Sequence, residues 1–256
     1  MTDDSFAQFY TGLVAELYEP LVGDPTQPGD YVPFLDASGS PVLEIACGHG
    51  TPMLELIQRG YEIEGVDSSA DMLQRCRDRA AALGIHPVLY EQQMQRLDLP
   101  RRYRAIFLAG ASFTLLPSDE AAQETLRRMH DHLLPGGNVL IPLSQPATGP
   151  PHERLPGLPP QIVTEPGGVR LSVERRAIEI DRQDRTVTVL LRYERTTPGA
   201  PPETVEREWH TRWWSQEQFR SLLAEAGFER ISCVLPEGGP APADALTFVF
   251  LAQRTP

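Results

Sequence analysis

The stretch Val42-Leu-Glu-Ile-Ala-Cys-Gly-His-Gly constrains this chain more than any other. An apolar strand runs into a turn with glycines at positions 48 and 50, where backbone can approach a ligand closely. A helical pattern follows at once in Met53, Leu54, Leu56 and Ile57. One βα unit later a second strand, 61–66, ends in an acid, Asp67. Strand, glycine turn, helix, strand and acid is the wiring of a nucleoside-binding α/β unit. An ordinary βα turn uses glycines in the same way. Glu44 just before the turn and Asp67 at the next strand end favour a cofactor site instead.

The identity of that cofactor turns on two residues. A dinucleotide site wants a third glycine three residues after the second, so that helix and strand pack behind a pyrophosphate. Met53 stands there. A pyrophosphate also needs several free N–H groups at a helix start and no nearby anion. Glu44 would repel it, yet would attract the ammonium or sulfonium of S-adenosylmethionine. Asp67 suits ribose hydroxyls in either case. The expected cofactor is therefore S-adenosylmethionine, and an NAD-dependent oxidoreductase is the less favoured alternative.

Composition removes other classes. All 23 basic residues are arginine, which excludes a lysine Schiff base and a P-loop lysine. The formal net charge of -12 argues against nucleic acid held by phosphate neutralisation. Cys47, Cys76 and Cys233 lack metal-type spacing and read as buried thiols of a reducing compartment. No metal is expected, and within the glycine turn Cys47 reads as a small structural residue. The acidic start of the chain does not resemble a signal peptide, and no apolar run is long enough for a bilayer. A cytoplasmic location, no membrane partner, and a monomer or homodimer are the expectations.

Periodicity orders the rest. A helix is expected over 5–22 and a short one over 31–36, together an N-terminal helical cap, 1–40. Strands at 41–46, 61–66, 86–90, 104–109 and 138–143 alternate with helices at 51–59, 69–83 and 118–134. His130 and His132 on that last helix read as surface residues. The prolines between 142 and 168 point to irregular or extended chain. Three segments with period-two spacing follow, 170–180, 186–195 and 204–214, as a small antiparallel sheet. A helix near 216–226 and strands at 228–235 and 245–253 complete the chain, the strands as an antiparallel hairpin. The expected architecture is α/β: a Rossmann-like doubly wound sheet, mostly parallel, spanning 41–145 and 215–256. A Pro-rich segment and an antiparallel β lid occupy 146–214.

Four words in this order resemble the class I S-adenosylmethionine-dependent methyltransferases over essentially the whole chain. They are Leu43-Glu-Ile-Ala-Cys-Gly-His-Gly, Gly65-Val-Asp-Ser-Ser-Ala-Asp-Met-Leu, Leu134-Pro-Gly-Gly, and Arg212-Trp-Trp-Ser-Gln-Glu-Gln-Phe with its later Ala226-Gly-Phe. The family carries threonine or serine where His49 stands. The resemblance implies methyl transfer to N or O of a small-molecule acceptor, with the antiparallel insertion covering the site. It implies that Asp67, with Ser68 beside it, meets the ribose hydroxyls. The Gly48–Gly50 backbone, flanked by Ala46 and His49, faces the methionine portion. Met72 lies near adenine, and Gln93 and Met94 meet its amine and ring, with Gln93 replacing the usual acid. The backbone at Ala109 accepts from the ammonium, and Tyr18 closes over the cofactor.

Methyl transfer needs alignment, water exclusion and a nucleophile with a free lone pair. An amine acceptor requires no dedicated base, whereas a hydroxyl wants one. Catalytic side chains therefore leave little trace in sequence. His49 either contacts the cofactor carboxylate or fills space. His210 either faces the acceptor or is a packed or solvated histidine. Phe113, Trp213 and Trp214 are candidates for an apolar acceptor pocket, with core packing as the alternative. On a strand only one of the two tryptophans can point inward. A noncatalytic regulatory protein that binds the cofactor on the same fold is the remaining alternative.

Overall fold

A computed structural model describes residues 9–23 and 26–255. The chain divides into two compact units, one of residues 1–25 and 148–212, the other of 26–147 and 213–256.

The larger unit is built on a seven-stranded sheet. Its strands are β1 (Val42–Ile45), β2 (Ile63–Asp67), β3 (Leu89–Glu91), β4 (Tyr103–Leu108), β5 (Leu133–Ser144), β10 (Phe228–Val234) and β11 (Thr247–Arg254). They lie in the order β10-β11-β5-β4-β1-β2-β3, and β11 alone runs against its two neighbours. β1 sits centrally, parallel to β2 on one side and β4 on the other. Successive residues enter different cores, as strands buried on both faces require. Leu43, Ile45, Ile106 and Leu108 join Leu126, Met129, Phe219 and Leu223, which lie on α5 (Asp119–His132) and α6 (Gln216–Glu225). Val42, Ala105 and Phe107 join the opposite core, with Leu35 on α2 (Val32–Ser38), Met53 and Leu54 on α3 (Met53–Gln58), and Leu73 and Cys76 on α4 (Ala70–Ala82). Each such large side chain contributes about 1.5–3 kcal/mol through burial.

Serine caps fix where the helices begin. Ser69 accepts from the Met72 N–H at 3.1 Å and Ser118 from the Ala121 N–H at 3.2 Å. Ser215 and Gln218 form a reciprocal capping box at α6. Removing one such cap costs about 1 kcal/mol. At the other end of α5 the expected stop lies differently. Helix gives way to strand at Leu133, and Pro135-Gly-Gly occupies the irregular start of β5, where the register against β4 shifts.

The smaller unit holds α1 (Leu13–Val22) and a four-stranded antiparallel sheet, β6 (His152–Thr164), β7 (Arg170–Asp181), β8 (Thr186–Thr196) and β9 (Glu203–Arg212), in that order. Val14, Leu17 and Leu21 of α1 bury against Leu171, Val189, Leu191 and Tyr193. The N-terminal helix is shorter than periodicity implied, since residues 9–12 form a turn; positions 5–8 of that expectation lie outside the described residues. Of irregular or extended chain, the two readings its prolines left open, β6 is the extended one, an edge strand where a missing N–H breaks no ladder on the open side. Its pairing with β7 slips between Leu158 and Gln161, around Pro159 and Pro160. The third expected segment ends at Arg212, so Trp213 and Trp214 lie beyond the strand and its alternation.

Candidate functional site

At the carboxyl ends of β1 and β2 the chain makes an elbow. Ala46, Gly48 and Gly50 all have positive φ, at 57°, 53° and 95°. A Cβ at Gly50 would lie 2.7 Å from Leu54 Cγ and 2.8 Å from Cys76 Sγ, so backbone conformation and space both demand glycine there. At Gly48 the nearest atom would be Met72 Cε at 3.4 Å, an ordinary contact, so only its φ matters. The Gly48 N–H donates to Asp67 Oδ2 and the Ser69 N–H to Asp67 Oδ1, each at 2.8 Å. Asp67 therefore braces the elbow against the start of α4, and each oxygen retains a lone pair for a ligand hydroxyl. Burial pushes its carboxyl up, while the N–H groups of Ser69, Gly48 and Ser68 pull it down. This bracing leaves no signature in residue spacing.

Glu44, one strand from Asp67, is fully buried, and neither carboxylate oxygen has a hydrogen-bond partner. Burial, then the neighbouring Asp67, pushes its carboxyl well above the usual range. An orphaned buried carboxylate is costly unless a cation or donor arrives to satisfy it. The ammonium of S-adenosylmethionine is such a group, and the glycine elbow leaves room for close approach, so these residues fit that cofactor. Tyr31 was not singled out by sequence. Burial, then nearby Glu44, pushes its phenol up, with the Gly110 backbone acting the other way. Burial and the same two carboxylates push the Cys47 thiol well up, which keeps it a structural group and not a thiolate nucleophile.

Other expected site residues sit around this edge. His49 is buried, and its Nε2 lies 3.4 Å from the Thr51 hydroxyl, which accepts from Arg79 Nη1 at 2.9 Å. Ser68 is exposed and Met72 buried. Gln93 and Met94 follow β3, with Met94 opening a short 3-10 turn to Arg96. Gln93 accepts from Gln95 Nε2 at 3.3 Å. Ala109 and Gly110 follow β4, half-buried.

The candidates for the acceptor separate. Phe113 and Trp214 are core residues, 0% and 1% exposed, with ring centroids 5.5 Å apart. The Trp214 indole donates to Asp119 Oδ1 at 2.8 Å. Packing is thus the arrangement found for this pair. Trp213 is half-buried. Tyr18 and His210 belong to the smaller unit. Tyr18 meets Tyr10 edge-on at 5.5 Å, and His210 Nδ1 lies 3.0 Å from the Thr188 hydroxyl. His132, expected at the surface, is only 8% exposed, because its ring serves two backbone groups. Among the described residues no group of three or more His, Cys, Asp or Glu is placed to hold a metal ion, and no helix is long and apolar enough to cross a membrane.

Known proteins agree with this geometry. A family model for a methyltransferase domain matches residues 42–137. A curated relative from Streptomyces fradiae, a dTDP-3-amino-3,6-dideoxy-alpha-D-glucopyranose N,N-dimethyltransferase, is 26% identical over 200 residues, covering 78% of this chain and 73% of that one. Among solved structures, the CcbJ methyltransferase from Streptomyces caelestis superposes with a TM-score of 0.77 at 20% identity, covering 100% of both chains. The sugar N-methyltransferase KedS8 from Streptoalloteichus sp ATCC 53650 gives 0.75 at 19% identity, covering 96% of this chain and 94% of that one. At such identities the structures speak for the fold, and the domain match and the curated relative speak for the chemistry. Residues 42–137 carry a methyltransferase domain on a fold shared with known methyltransferases, and methyl transfer from S-adenosylmethionine is the chemistry these findings support.

Proposed function

We propose that the enzyme methylates the amino nitrogen of a small amino-sugar acceptor, and that the elbow edge of the larger unit holds its cofactor. One observation carries the acceptor class. The match to the Streptomyces fradiae amino-sugar N,N-dimethyltransferase spans 78% of this chain, well beyond residues 42–137. A stretch that long has to include inserted sequence that the cofactor half does not contain.

When bound, S-adenosylmethionine supplies a methyl group on a sulfonium, already activated for displacement. The protein's task is placement. In this reading Glu44 faces the ammonium, and its lack of a protein partner supports that role. Asp67 accepts from the ribose hydroxyls through its spare lone pairs, with Ser68 beside it, while still bracing Gly48. Ala46, Gly48, His49 and Gly50 form the cradle for the methionine end, closed by backbone at Ala109. Met72, Gln93 and Met94 meet the adenine end. Alignment of this kind is worth roughly 7–11 kcal/mol. An unprotonated amine brings its own lone pair, so nitrogen transfer needs no side-chain base. Net charge -12 supports an enzyme without a nucleic-acid partner, and three free thiols support a cytoplasmic setting.

The test is turnover with nucleotide-linked sugars in matched pairs, one bearing an amino group and the other a hydroxyl at the same carbon, read by mass spectrometry. Methyl gain on the amino member alone is expected. Gain confined to the hydroxyl member would overturn the nitrogen reading.

A further inference from the structure

Segment 92–99, which carries Gln93 and Met94, is tied down at both ends. At its start the Gln92 N–H donates to the Asp67 carbonyl at 3.0 Å, which joins the segment to the end of β2. Its neck is closed by a reciprocal pair. Gln92 Nε2 donates to the Asp98 carbonyl at 3.0 Å, and the Asp98 N–H donates to Gln92 Oε1 at 2.8 Å. Leu97 and Leu99 bury their side chains, at 0% and 8% exposure. The last tie is His132 on α5. Its Nε2 takes the Leu99 N–H at 2.9 Å, and its Nδ1 lies 2.8 Å from the Arg128 carbonyl. A backbone N–H can only donate and a carbonyl can only accept. The ring is therefore the neutral tautomer with its proton on Nδ1.

We propose that His132 is a positioning residue for the adenine end of the cofactor, acting through Leu99 to set the height of the turn at Met94. The proposal rests on the reading above that Gln93 and Met94 meet adenine. Burial requires both ring nitrogens to find partners, and here one of those partners is the backbone of the segment itself. Here the matched pair adds a polar tie from helix α5 to the C-terminal end of a segment whose start is joined to β2. Losing the acceptor leaves the Leu99 N–H buried and unsatisfied, and the segment relieves that by shifting. Arg128 adds a weaker tie, with Nη1 at 3.5 Å from the Leu97 carbonyl.

The test measures S-adenosylhomocysteine binding by calorimetry, with melting of the unliganded protein as the control for folding. His132→Ala is expected to weaken binding about tenfold. His132→Gln, whose side-chain oxygen can accept from Leu99, is expected to recover most of that loss. Met94→Ala is expected to weaken binding in the native background and to add little in the His132→Ala background, because the contact is already displaced. Hydrogen exchange at the Leu99 amide should quicken in His132→Ala and not in His132→Gln. If His132→Ala frees that amide yet binds the ligand normally, or if the two losses simply add, the positioning role is overturned. If Met94→Ala and Gln93→Ala both leave native binding unchanged, the adenine reading itself fails and takes the proposal with it. If either weakens binding while His132→Ala does not, only the role of His132 is lost. Should His132→Ala melt too low to assay, His132→Phe, which keeps a ring in the core but lacks the acceptor, takes its place in the same comparison.

Discussion

Two buried glutamates on neighbouring strands have opposite fates. Glu64 on β2 accepts from Tyr103 at 2.7 Å, from Tyr90 at 3.2 Å and from Arg101 at 2.7 Å. Glu44 on β1, opposite Gly65, accepts from nothing. Glu64 sits within a finished network, while Glu44 lies toward the elbow. One carboxylate is complete within the fold, and the other is complete only when something cationic arrives. An empty acceptor in a native core marks a place shaped for a partner.

Five substitutions test this contrast. Glu64→Ala should have the largest effect, about 3 kcal/mol of stability, because it leaves the buried Tyr103 hydroxyl, and Tyr90 with it, without an acceptor, while Arg101 keeps Glu62. Thermal or urea melting reads it, and S-adenosylhomocysteine affinity of the protein that stays folded should hardly change. A large loss of affinity without loss of stability would erase the contrast. Asp67→Ala comes next. It removes an acceptor for two backbone N–H groups and the proposed ribose contact, so affinity should fall about a hundredfold, near 2.7 kcal/mol. Calorimetry checks it.

Glu44→Gln should weaken the same ligand about tenfold while leaving the unliganded protein as stable or more stable at neutral pH. The pH dependence follows from its raised carboxyl. Above the usual carboxylate value the native state holds a proton that the unfolded chain has released, so stability from this group is lost as pH rises through the native value. The Gln variant should lack that slope. Ligand binding should release the proton, seen as a dependence of binding enthalpy on the buffer, and an identical dependence in the variant would rule Glu44 out. Gly48→Ala is the mildest change, about 1 kcal/mol for placing a side chain at φ 53°, where its Cβ would meet Met72 Cε at no closer than ordinary contact. Gly50→Ala provides the sharper comparison, since Leu54 and Cys76 stand in its way.

Much of the frame was readable from residues. The central strands are continuous apolar runs ending in a glycine elbow and an acid, and a mostly parallel α/β sheet was legible in them. Serines before helical patterns located α4 and α5. The misreadings and the open reading share a cause, since each depended on a neighbour in space. Prolines in β6 leave irregular and extended chain equally open until the strand is seen to lie at an edge. His132 looks like surface until its two backbone partners are seen. Trp213 and Trp214 look like strand because nothing local shows β9 ending at Arg212. At the candidate site, Glu44 and Asp67 stood out by motif, but the missing partner of one and the bracing work of the other are facts of three dimensions. Tyr31 carries no motif at all. The oxidoreductase alternative falls with the methyltransferase assignment.

The prolines of β6 have an effect on the enzyme in bulk. Pro156, Pro159 and Pro160 lie along the outer border of the four-stranded sheet, interspersed with the exposed Leu155, Leu158 and Ile162. A sticky, unpaired border of that length invites templated growth into fibrils. Rings without N–H hydrogens interrupt the rail on which an incoming strand would zip, so the molecule can carry greasy residues there and still remain dispersed in a crowded solution.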